Sequence, residues 1–330
     1  MSQRITHLDL DRDGKLIHPR TGTPLDADEV PAHIERHLRL DPATTDVFLY
    51  VHGWRTKPDD AADAAQRLAA LIGDLIDNQP HHYPCLTPFR PRYVAIRWPS
   101  RSLPTPKGYR TIRDRAAAMS HPGQAARVLA AILGYYNQHR RTPAPGPPRL
   151  KTAGGQYLHA VGHSFGGRFL AHAIAQASTK LPHSPRTLTW NYRSDQYPWT
   201  LDSFTTFQMA LPHDSFAEAP YSRLLEDNVL NAPVAMTFSP HDRALGRWHR
   251  ATEEGKEGIG YAGATAPESH LHTLRLQDTG DAYTFPSARL LNVDASHRYR
   301  ASPARIEGAH SDYFHPESAH LLLSLANQAR

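Results

Sequence analysis

Apolar and polar positions follow two periods along this chain. Val47-Phe48-Leu49-Tyr50-Val51 and Tyr93-Val94-Ala95-Ile96-Arg97-Trp98 are short runs rich in β-branched and aromatic residues, and both read as buried strands. Between them, residues 59–77 place Ala65, Leu68, Leu71, Ile72 and Leu75 at helical spacing, which predicts an amphipathic helix. A second helix is expected over 122–137. The apolar run from Tyr157 predicts another strand, followed by a helix over 168–180. Further strands are expected at 204–211, 234–239 and 288–293, and a last helix at 317–328. Strands alternating with helices predict an α/β class: one mostly parallel central sheet with helices on both faces.

The ends and gaps of this pattern carry weaker expectations. Residues 1–24 alternate around Asp13-Gly14, which reads as a β-hairpin within an N-terminal extension, 1–45. Asp9, Asp11, Asp13 and Gly14 imitate a calcium loop, but Arg20 stands where the bidentate glutamate belongs, so the hairpin is preferred. The proline-rich stretch 142–148 reads as a surface loop inside the alternation and not as a domain boundary. With no internal repeat, residues 1–330 are expected to form a single domain. Residues 244–285 show little periodicity and several glycines, and are a candidate loop covering an active site.

Composition narrows the function classes. The 330 residues are 40% hydrophobic, enough for a full core. The single cysteine, Cys85, excludes an internal disulfide, and Met1–His7 lacks the apolar core of a signal peptide. No apolar run approaches the roughly 20 residues that span a bilayer, so a cytoplasmic protein with no membrane partner is expected. The net charge of +5 is spread among acidic residues along the chain, which argues against a nucleic-acid partner. Sequence says nothing about oligomeric state.

The chemistry centres on Gly162-His163-Ser164-Phe165-Gly166, at the junction of an expected strand and helix. That layout is a nucleophile elbow, a sharp turn carrying a serine, with glycines on either side to permit the strained backbone. A serine nucleophile needs a histidine base, a carboxylate to orient it and donors for the oxyanion. Asp242 follows the strand at 234–239, and His310 precedes the last helix, in the chain order serine, acid, histidine. Asp214 competes as the acid; His297 and His315 compete as the base. His163 is expected to pack beside the sheet as a core histidine. Trp54, in His52-Gly53-Trp54 after a strand, and Phe165 are the expected oxyanion-hole amides. Trp98 and Ser100 are candidate substrate-binding residues, and Trp190, Tyr192, Tyr197, Trp199 and Phe204 a candidate acyl wall. The chemistry calls for no cofactor and no metal.

On these residues the chain resembles the α/β-hydrolase superfamily, and within it the serine-hydrolase-like proteins grouped as DUF900. The matching segments are Val51–Trp54, Trp98–Ser100, His163–Gly166 and His241–Leu245, covering roughly residues 47–250. The resemblance implies an α/β-hydrolase fold and a Ser-His-Asp triad but no settled substrate; from the residues, a serine hydrolase cleaving a carboxylic ester or related bond of a small acyl substrate is expected. The resemblance leaves open hydrolysis of an ester, acyl transfer or thioesterase action on carrier-bound groups, and a non-catalytic interaction role.

Overall fold

The structure is a computed structural model that describes residues 5–103, 105–120, 124–141, 157–177, 201–226, 229–300 and 307–330. Eight strands form one sheet: β1 (Ile5–Asp9), β2 (Asp46–Val51), β3 (Pro91–Arg97), β4 (Tyr157–His163), β5 (Ser203–Phe207), β6 (Val234–Phe238), β7 (Leu271–Arg275) and β8 (Leu290–Asp294). Their order is β1-β3-β2-β4-β5-β6-β8-β7, and every pairing is parallel.

The period of two explains why these strands sit in the middle. In β2, Val47, Leu49 and Val51 pack into the core on one face, while Phe48 and Tyr50 pack into the core on the other. In β3, Val94 and Ile96 oppose Tyr93 and Ala95 in the same way. One face is covered by α1 (Val30–His37), α3 (Pro106–Ser120), α4 (Ala125–Arg141) and α5 (Phe165–Ala177). The other is covered by α2 (Pro58–Asn78) and α7 (Pro316–Gln328). Helix α2 starts where expected: Pro58 opens its first turn, and the Lys57 amide donates to the Asp60 carboxylate at 3.2 Å.

Several expectations change. Among the described residues no β-hairpin forms at the N-terminus. The turn at Asp13-Gly14 makes only an isolated antiparallel bridge, Leu10 to Leu16, because Ile5–Asp9 takes its ladder from β3 instead. The extension 1–45 thus contributes an edge strand to the sheet. Asp9 and Asp11 are already engaged there, Asp9 with Arg97 and Asp11 with the amides of Asp13 and Lys15.

Residues 244–285 are not a structureless cover. They form a π-helical turn (Ala244–His249), the short α6 (Ile259–Ala262) and edge strand β7. The stretch just after the π turn is anchored by Arg168 and Arg113, which reach Glu253 at 2.6 Å and the Thr252 carbonyl at 2.7 Å. The strand expected at 204–211 stops at Phe207, where Gln208 takes a left-handed backbone with φ 48°. Helices α1 and α3 were not expected. The proline-rich loop and Trp190, Tyr192, Tyr197 and Trp199 lie outside the described residues. Among the described residues no helix is long and apolar enough to cross a membrane.

Candidate active site

The chain leaves β2 toward β3 on one side, then crosses back to β4 and builds outward on the other. The crevice beyond the carboxyl ends of β2 and β4 is therefore the switch point of the sheet, the usual ligand position in open α/β folds. Ser164 and the turn after β2 both lie there.

Ser164 sits between β4 and α5 with φ 54°, a conformation that costs a non-glycine residue on the order of 1–3 kcal/mol. Its neighbours hold it there. The Ser164 amide donates to the Phe207 carbonyl at 2.9 Å, and its own carbonyl accepts from Ala210 and Gly167. A Cβ on Gly166 would lie 2.3 Å from the Val51 oxygen, and one on Gly162 would lie 2.5 Å from Gly167 Cα. Only glycine fits at both positions.

His310 Nε2 stands 2.7 Å from Ser164 Oγ, and His310 Nδ1 stands 2.7 Å from Asp242 Oδ2. The carboxylate can only accept, so Nδ1 carries the hydrogen and Nε2 is left to accept from the serine hydroxyl. All three residues are buried. Burial pushes the Asp242 carboxyl above its ordinary value, while the His310 ring and the Leu245 amide, 3.0 Å from Oδ1, pull it back.

The competing residues are elsewhere. Asp214 pairs with Lys256 at 2.6 Å, His297 meets Arg275, and His315 meets Asp312. His163 is a core histidine, as its neighbours suggested. Its Nε2–H donates to the His310 carbonyl at 2.8 Å, and its ring stacks on Tyr313 at 4.5 Å. Burial, together with the nearby His310, lowers its pKa to about 3, which keeps it neutral.

The turn after β2 approaches the elbow closely: a Cβ on Gly53 would lie 2.9 Å from Ser164 Cβ. Neither the Trp54 nor the Phe165 amide donates a hydrogen bond to protein among the described residues. Trp98 and Ser100 brace this turn from beneath. The Trp98 indole donates to the His52 carbonyl at 2.8 Å, and the Trp98 amide donates to His52 Nε2 at 3.1 Å. The Ser100 carbonyl accepts from Arg55, and its Oγ from the Thr56 amide at 3.3 Å. Burial lowers the His52 pKa to about 4, so the ring stays neutral and can accept from Trp98. Both Trp98 and Ser100 are buried, although they border a cavity of about 560 Å3 beside the turn.

Two groups at the site carried no sequence signal. Gln208, fully buried, donates through Nε2 to Asp242 Oδ2 at 3.2 Å and to the Ala309 carbonyl at 2.8 Å. One amide thus ties the carboxylate to the residue preceding His310. The half-buried Trp54 and Trp248 meet edge to face at 5.8 Å, and Trp54 also meets Tyr109, which packs on Phe165 at 4.7 Å. These aromatics come from four separate segments. Phe204, from the expected acyl wall, is instead a core residue of β5.

A second Ser/His/Asp contact occurs at the opposite end of the sheet. His159 bridges Ser203 Oγ at 2.8 Å and Asp46 Oδ1 at 3.0 Å, and Asp46 also pairs with Arg330 at 2.6 Å. This set is fully buried and joins β2, β4 and β5 as a structural tie. Among the described residues no His, Cys, Asp and Glu group is arranged to hold a metal ion. No family model matches the chain, and no curated protein matches it.

Proposed function

We propose that the chain is a serine hydrolase that cleaves a carboxylic ester or related acyl bond through an acyl-enzyme. The observation that carries this reading is the relay Asp242–His310–Ser164, closed at 2.7 Å on both sides of the imidazole around a serine in strained, left-handed backbone. The parallel sheet with its switch-point elbow supports an α/β-hydrolase fold, with the DUF900-like segments at its functional loops. The lone cysteine favours a reducing, cytoplasmic setting for the enzyme.

His310 Nε2 takes the hydroxyl proton as Ser164 Oγ bonds to the acyl carbon, and the carbonyl electrons move onto oxygen. The Trp54 and Phe165 amides stabilise that oxyanion. As the tetrahedral adduct collapses, the bond to the leaving group breaks and His310 returns the proton to it. Water then attacks the acyl-enzyme by the same route, releasing the acid and restoring Ser164. Asp242 holds the Nδ1–H tautomer and balances the imidazolium. The indoles of Trp54 and Trp248 favour an apolar acyl group.

Hydrolysis of p-nitrophenyl esters of graded chain length tests the reading. Ser164→Ala is expected to lower kcat by about 10³-fold or more and to abolish fluorophosphonate labelling. Turnover by the variant at the wild-type rate would sink the proposal.

A further inference from the structure

Behind the two loops that carry Asp242 and His310 lies a groove of about 760 Å3. Its volume falls within the roughly 300–1,000 Å3 typical of small-molecule sites. Four of its lining residues are arginines: Arg243 from the loop after β6, Arg247 and Arg250 from the π turn and its exit, and Arg300 from the segment after β8. Among the described residues the lining includes one carboxylate, Glu257, so four positive charges less one leave a formal +3.

The arginines are differently committed. Arg250 lies 3.7 Å from Glu257, a mostly exposed pair, and Arg300 Nε donates to the Ser296 carbonyl at 3.0 Å. The Arg247 side chain makes no hydrogen bond or ion pair among the described residues. Four guanidinium groups around one concavity repel each other, and a multiply charged anion removes that repulsion. Their planar forks can each take two phosphate oxygens, and a diphosphate offers several such oxygens and a multiple negative charge in one compact group.

The floor of the groove is preformed. The Ala309 amide donates to the His241 carbonyl at 2.9 Å, and the Ala244 amide to the Glu307 carbonyl at 3.2 Å. Between them Gly308, with φ 66°, lets the two loops touch, since a Cβ there would lie 2.2 Å from the His241 oxygen. A ligand therefore meets a backbone floor already fixed, and the ordering cost falls on the arginine side chains.

We propose that this groove binds a small organic ligand through its diphosphate group, held by Arg243, Arg247, Arg250 and Arg300. Ser164 is not among the lining residues, so the binding stands apart from the serine chemistry. Calorimetric titration of the full chain with inorganic pyrophosphate, and with ADP as an organic diphosphate, tests it. Saturable binding of both is expected, weakened about tenfold or more in the double variant Arg247→Gln/Arg250→Gln. Circular dichroism melting checks that this variant is folded, and a single Arg247→Gln variant serves if it is not. Ser164→Ala is expected to titrate like the wild type, so a failed esterase assay leaves this result intact. Absence of binding to the wild type would overturn the assignment. So would unchanged binding by a folded variant, equal affinity for tricarballylate, or binding of an oligonucleotide alone.

Discussion

The serine, histidine and aspartate of the site depend on a fourth residue, Gln208, whose amide fixes the Asp242 oxygen that faces His310. A hydrogen bond to a charged group contributes roughly 1.5–3 kcal/mol, so Gln208→Leu is expected to lower kcat by roughly 10- to 100-fold. KM should stay nearly constant, because the lost interaction acts on the base and not on the substrate. Steady-state kinetics on an activated ester decide this, and an unchanged kcat would remove Gln208 from the relay. The residue types at Ser164, Asp242 and His310 were legible because chain order and local turn chemistry constrain them. Gln208 was not, since nothing in Phe207-Gln208-Met209 marks a glutamine as facing a carboxylate 34 residues later. Trp98 and Ser100, expected as substrate contacts, border a cavity, and their hydrogen bonds go to the turn after β2.

Among the elements, the elbow has little tolerance. Gly166 meets the carbonyl oxygens of both Val51 and His52, so an added methyl must push α5 away from β2. Gly166→Ala is expected to destabilise the protein by about 1–3 kcal/mol in urea unfolding, and to slow fluorophosphonate labelling of Ser164. Stability and labelling both at wild-type levels would show that the turn can relax. The central strands and α2 could be read because their faces alternate cleanly in one period. In α3, Tyr109, Ile112, Ala116 and Met119 do recur at helical spacing, but four charged residues among them mask the stripe. Edge strand β7 is half exposed and carries no alternation strong enough to separate it from a loop.

For the whole molecule, buried histidines set the acid response. His52, His163 and His249 have pKa values lowered by burial to about 4, 3 and 3. Their folded values lie below the unfolded value of 6.5, so below pH 6.5 the unfolded chain binds more protons. Stability is thus fully present above about pH 6.5 and is lost as pH falls toward 4, by up to about 1.4 kcal/mol per histidine per pH unit. Urea unfolding between pH 7.5 and 5 is expected to show this fall, with a shallower slope in His249→Gln. A pH-independent stability would contradict neutral burial. The arginines show the same dependence on scale. Arginines look scattered along the chain as a whole, yet Arg243, Arg247 and Arg250 of one turn meet Arg300, from the segment after β8, in one groove.

The sequence by itself determined the alternation of strands and helices and the chemistry of the elbow. Both follow from local spacing, where side-chain period and glycine permissiveness act over a few residues. Chain order favoured Asp242 and His310, but only tertiary structure brings them to Ser164 and carries Asp214, His297 and His315 elsewhere, because those contacts span 68 and 146 residues. It also decided the strand order, the place of Gln208 and the convergence of the arginines. Each of these depends on which distant segments the packed sheet brings side by side.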